Sequence, residues 1–300
     1  METAINEITL VLFTTIAPAG VIGYLLMAAA IVRASKKDRA DAISRHLVVP
    51  LVLAISGLIA SATHLGTPAN ALYVITGIGR SPLSNEVVAA VAFLALGGIY
   101  WIISFRNDLT RAFRTAWLVP TIAAGLAFVW FIGVAYSVPS VPTWNLPTAP
   151  LTLWLNALSS GPIVGLFGLA LARQEPSQRA AFVALAVTAC AAAANAGVLA
   201  LEWQALEGIV TTTTRATDLV PNLGLLLGLY LTLEAGAVAL CAVASLRKTL
   251  PAPASIDPFT VARRTGTVRL LLTAGAGMLA LAASFAVRFA FYAMHMTVGV

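Results

Sequence analysis

The stretch Ile8-Thr-Leu-Val-Leu-Phe-Thr-Thr-Ile-Ala-Pro-Ala-Gly-Val-Ile-Gly-Tyr-Leu-Leu-Met-Ala-Ala-Ala-Ile-Val32 runs without one charged side chain. About 20 such residues in a helix cross the hydrocarbon core of a bilayer. Seven further apolar runs follow, at 47–63, 87–105, 116–135, 151–172, 180–201, 223–245 and 268–287. The 300 residues are 59% hydrophobic and only 10% charged, whereas a soluble domain carries about 25% charged residues. The pattern predicts an all-α membrane protein, a polytopic bundle of eight transmembrane helices. One integral membrane domain then fills residues 1–300 and leaves no room for a soluble one.

The basic residues give this bundle a direction. Arg33, Lys36, Lys37, Arg39 and Arg45 follow the first span, and Arg106, Arg111 and Arg114 follow the third. Arg173 and Arg179 follow the fifth; Arg247, Lys248, Arg263, Arg264 and Arg269 follow the seventh. Fifteen of the 18 basic residues thus share one side, and only Arg80, Arg215 and Arg288 lie on the other. The positive-inside rule makes the crowded side cytoplasmic and both termini extracytoplasmic. The net charge of +6 is then an orientation signal suited to anionic lipid headgroups, not a sign of nucleic-acid binding. The acidic start Met1-Glu-Thr-Ala-Ile-Asn-Glu7 lacks the basic region of a signal peptide, so the first span reads as retained. The outer loops are short and rich in proline. The longest, 65–85, has an apolar middle suited to the membrane interface. On the inner side, 251–258 reads as a linker. No internal repeat is visible, which leaves an inverted-repeat transporter without support.

Several chemistries are excluded. Cys190 and Cys241 lie alone inside two spans, and an iron–sulfur cluster needs about four ligands. They read as packing residues. His46 and His64 bracket the second span, roughly 27 Å apart along a helix, so they cannot share a haem. His295 shares a side with His64, but a haem held by those two is not expected. No nucleotide loop, zinc motif or nucleophile elbow is present.

The candidate site lies where Ser61-Ala-Thr-His64-Leu-Gly-Thr-Pro68 and Leu83-Ser-Asn-Glu86 meet the water on the outer side. They place His64 and Glu86 at one membrane depth, where a base and a carboxylate can move protons to or from a lipid-soluble substrate. Each also has a structural reading. His64 can close its helix, and Glu86 can complement a helix start that Ser84 or Asn85 caps. Glu202 reads as an interfacial residue ending the sixth span. Arg288 ends the eighth span against the charge rule, so a carboxylate or a partner protein is expected beside it. Glu234 falls near the midplane of the seventh span. A bare carboxylate is costly there, so it reads as protonated, hydrogen-bonded or a proton relay.

These residues give the protein a resemblance. It resembles the membrane anchor subunit of the dimethyl sulfoxide reductase family, over nearly its full length. The matching pieces are His64-Leu-Gly66 with Pro68, Leu83-Ser-Asn-Glu86, Val141-Pro-Thr-Trp144, Gly161-Pro162, and Arg288 followed by Phe291-Tyr292 and His295-Met-Thr-Val-Gly299. The resemblance implies a multi-pass protein of the bacterial cytoplasmic (inner) membrane within a three-part respiratory complex. One partner is a molybdopterin catalytic subunit; the other is a ferredoxin-like iron–sulfur subunit. Both dock on the outer face, and this subunit oxidises menaquinol. His64 and Glu86 match the quinol-associated residues of that family, with Arg80, Ser84 and Asn85 beside them. The anchor itself is expected to hold no haem, iron–sulfur cluster or other metal. Two other readings remain, a small-solute transporter and a structural anchor without a quinol site. The family pattern gives Glu234 no role.

Overall fold

A computed structural model of the protein describes residues 2–64, 68–106, 108–210, 214–220, 222–246 and 258–296. Residues 65–67 of the His64 stretch lie outside them, as do Arg247, Lys248, most of the 251–258 linker and the motif residues 297–299. A short helix α1 (Glu2–Asn6) leads into α2 (Ile8–Val32). Then come α3 (Lys37–Arg45), α4 (Val48–Ala62), α5 (Pro82–Ile103), α6 (Arg111–Ala135) and α7 (Thr148–Leu171). The order ends with α8 (Gln178–Glu207), α9 (Leu223–Leu246) and α10 (Pro258–Ala293). Eight helices are long and apolar enough to cross a membrane, and this is a multi-pass membrane protein.

The spans α2 and α7 are central and bury most of their residues inside the protein. Around them, α4 and α6 pack on α2, α5 packs on α6, and α8, α9 and α10 close the side next to α7. The contact between α2 and α7 depends on small residues. A Cβ added to Gly161 would overlap Ile22 Cβ, so only glycine lets the two backbones approach this closely. A Cβ on Gly20 would meet the Pro50 carbonyl of α4 at 2.6 Å. The outward faces carry Val52, Ile59, Val91, Ile102, Trp130, Phe182 and Leu271, all well exposed, as a lipid-facing surface requires.

The loop expected after the first span is partly helical. Helix α3 buries Ala40, Ile43 and Ser44, and its Asp41 pairs with Arg114 of α6. Arg114 is 2% exposed and also donates to Ser44 Oγ at 3.2 Å. One of the fifteen orientation charges therefore locks two helices together on the basic face.

Candidate functional site

The opposite face carries Glu7, His64 and Glu86, and its geometry begins with the turn before α5. Ser81 caps the helix by accepting from the Ser84 backbone N–H at 3.4 Å, and Pro82 occupies the first turn, where its missing N–H does no harm. Helix α5 therefore starts five residues before the expected 87. Neither Ser84 nor Asn85 is the cap. Ser84 is buried, while Asn85 Oδ1 accepts from the Gly79 N–H at 2.7 Å. Gly79 has φ +78°, a backbone that glycine adopts freely. Arg80 donates to the Thr76 carbonyl at 2.9 Å and is exposed. The preceding 3₁₀ helix, Pro68–Gly77, exposes Tyr73 and Ile75, an apolar lip at the membrane edge.

The extra turn moves Glu86 inward. It is 1% exposed, and its Oε2 has no hydrogen-bond partner within the protein. His64 closes α4 as expected but turns the other way. Its Nε2 lies 3.0 Å from Glu7 Oε2, with 41% of the His64 side chain exposed. No ion pair within 4.0 Å joins His64 to Glu86. The structure thus places a half-exposed His64–Glu7 pair at the rim and Glu86 beneath the surface.

Below the rim lies a group of residues that sequence reasoning did not assemble. The rings of Tyr136 and Tyr292 meet edge to face at 5.7 Å. Arg288 is not interfacial; it is 1% exposed. Its Nε donates to Thr14 Oγ1 at 3.1 Å, and its guanidinium lies 4.2 Å from the centre of the Phe291 ring. Of the two neighbours expected for it, a carboxylate or a partner protein, no carboxylate lies within 4.0 Å among the described residues. Glu202 also departs from its expected place. Helix α8 runs on to Glu207, so Glu202 is inside the bundle and 3% exposed. Its Oε1 has no partner.

The motif at 141–144 holds the end of α10. Thr143 Oγ1 donates to the Met294 carbonyl at 2.5 Å, and Trp144 Nε1 donates to the Phe291 carbonyl at 2.9 Å. Trp144 also stacks on Phe291 at 5.1 Å and packs against His295 at 4.7 Å. Two separated pieces of the resemblance thus form one contact. Near the midplane, Ser159 of α7 hydrogen-bonds Glu234 of α9 at 2.8 Å. Asn195 of α8 donates to Asn156 of α7 at 3.1 Å, and Tyr230 lies beside Asn195, Ser159 and Glu234. Among the described residues no three His, Cys, Asp or Glu side chains gather as a metal site would need.

Eight membrane-crossing helices with buried carboxylates and a buried arginine at one end define a polytopic membrane subunit with a polar end. The model of the DMSO reductase anchor subunit family (DmsC) matches residues 1–293, and the protein belongs to that family. It is 31% identical over 297 residues to YnfH, an anaerobic dimethyl sulfoxide reductase polypeptide of Escherichia coli, with 98% of this sequence and 96% of that one covered. The C polypeptide of the anaerobic dimethyl sulfoxide reductase of the same organism is 30% identical over 298 residues, with the same coverage. Its Haemophilus influenzae counterpart is 27% identical over 222 residues, 74% of this sequence and 79% of that one.

Proposed function

We propose that this protein anchors a dimethyl sulfoxide reductase-like complex in the membrane and oxidises menaquinol at the end that carries Glu86. The observation that carries the reading is Glu86 itself, a 1%-exposed carboxylate with an unpartnered oxygen. The Escherichia coli relative bears the letter C within its reductase, which implies companion polypeptides. That supports an iron–sulfur partner and a molybdopterin catalytic partner. Both dock on the Glu7 face, which is extracytoplasmic if the basic face is cytoplasmic.

Oxidation of a quinol releases two electrons and two protons. The electrons go to the iron–sulfur partner. Glu86 accepts a hydrogen bond from a quinol hydroxyl and then its proton, the role of a positioned general base. The exposed lip of Tyr73, Ile75 and Leu83 receives the ring and tail from the bilayer. Arg80, Ser84 and Asn85 shape the turn above Glu86. The His64–Glu7 pair, open to water, takes the proton outward; imidazole exchanges protons readily near neutral pH. Glu86 is then the base and His64 the outlet.

Two assays on the assembled complex test this. His64→Ala and Glu86→Gln should each lower menaquinol-driven acceptor reduction by about 10²-fold, as expected for loss of a positioned proton acceptor. Reduction driven by a soluble dye should persist. Unchanged menaquinol activity in both variants would overturn the reading.

A further inference from the structure

We infer that Glu202, with the small cleft beside it, is a second proton outlet of the same end of the bundle. The inference rests on the quinol reading above. Glu86 lies four residues inside α5, while Glu202 and Arg288 each lie five residues inside the ends of α8 and α10. All three therefore sit about 6–8 Å below the helix ends, at one depth. Glu202 lines a cavity of about 20 Å³ with Thr152, Trp203, Leu206, Phe291 and Met294. That is room for about one water molecule. Its Oε1 is buried with no hydrogen-bond partner in the protein.

Two buried carboxylates and one buried guanidinium thus share this end of the bundle, and a quinol releases two protons. The first leaves one hydroxyl for Glu86 and the His64–Glu7 rim. The second O–H bond breaks towards the side of Tyr136 and Tyr292, whose rings meet at 5.7 Å with the Arg288 guanidinium 5.5 Å from the Tyr292 ring. Glu202 Oε1 accepts that proton through water and releases it by way of the cleft. Both electrons still pass to the iron–sulfur partner. On the elements packed against α8 the other charged or titratable groups are Tyr230, Glu234 and Cys241 of α9 and Arg215 and Asp218 beside Ala216–Leu219; α7 offers none.

The test uses the assembled complex, a reduced naphthoquinol as donor, and both assays across pH. Glu202→Gln should slow naphthoquinol oxidation by about tenfold and flatten the pH profile, a loss at the low end of what a proton-transfer group contributes. Dye-driven activity should stay intact, and Glu202→Asp should restore part of the rate. Two results would overturn the inference while leaving the quinol reading standing. One is a wild-type rate and pH profile for Glu202→Gln when His64→Ala and Glu86→Gln have collapsed. The other is loss of dye-driven activity in Glu202→Gln, which would mark Glu202 as a structural residue. If His64→Ala and Glu86→Gln also oxidise naphthoquinol normally, the quinol reading falls and this inference with it.

Discussion

At the scale of single residues, the contact between His64 and Glu7 changes what each is expected to do. Glu7 lies outside every motif in the resemblance, yet it is the carboxylate that His64 meets at 3.0 Å. Glu7→Gln keeps the size and removes the charge. Menaquinol-driven turnover should fall several-fold, less than for His64→Ala or Glu86→Gln, because Glu7 orients the imidazole while the imidazole itself still exchanges protons with water. Equal turnover of the Glu7→Gln and wild-type complexes would show that the pair is ornamental. The sequence made His64 and Glu86 legible as candidates because both sit where an apolar run stops. It could not pair His64 with Glu7, 57 positions away, because nothing in local hydrophobicity reports which loop folds over which helix end. Arg288 shows the same limit. Its charge read as an interfacial anomaly, whereas the hydroxyl and the rings that enclose it come from α2 and from its own helix.

At the scale of elements, the apolar runs located all eight spans, since burial in lipid is a local property of the sequence. The misplaced ends have physical causes. Capping by Ser81 and Pro82 pulled the start of α5 forward. Helix α8 continued past Glu202 because one side of its last turns, Glu202 and Leu206, is buried in protein, so a carboxylate does not have to mark the boundary. The contact between α2 and α7 yields a sharp prediction. Gly161→Val should destabilise the bundle by about 1–3 kcal/mol, the usual range for overpacking, measured as unfolding of the detergent-solubilised complex. Gly98→Val is the control, because a Cβ there meets nothing within 4 Å. The midplane cluster gives another. Ser159 has one hydroxyl hydrogen and two oxygens in reach, the Asn156 carbonyl at 3.1 Å and Glu234 Oε1 at 2.8 Å. A neutral Glu234 that donates to Ser159 satisfies both contacts. Glu234→Gln should then leave assembly and menaquinol activity near wild type, whereas Asn195→Ala should cost about 0.6 kcal/mol. Loss of turnover in Glu234→Gln with assembly intact would instead give this carboxylate a part in proton movement.

At the scale of the whole molecule, the distribution of basic residues predicts that both termini face away from the cytoplasm. Ser140 is exposed near the Glu7 face and Ser35 on the basic face. In intact cells an impermeant thiol reagent should label Ser140→Cys and spare Ser35→Cys. The opposite labelling would place the partners, and the release of protons, on the other side of the membrane. If the orientation and the proposed quinol oxidation both hold, protons from the quinol emerge on the side where the partner consumes them, and the anchor conserves little energy of its own.

The bond from Arg288 to Thr14 spans 274 positions, joining the first membrane-crossing helix to the last. This has a consequence for biogenesis. A ribosome delivers α2 to the translocon early and α10 at the end of synthesis. The Glu7 end therefore stays unfinished until the final span is released, with Thr14 waiting for its arginine. If the partners dock at this end as proposed, a nascent or truncated polypeptide that stops short of α10 offers them an incomplete seat. Faithful insertion of the last helix would then be the checkpoint for assembling the complex.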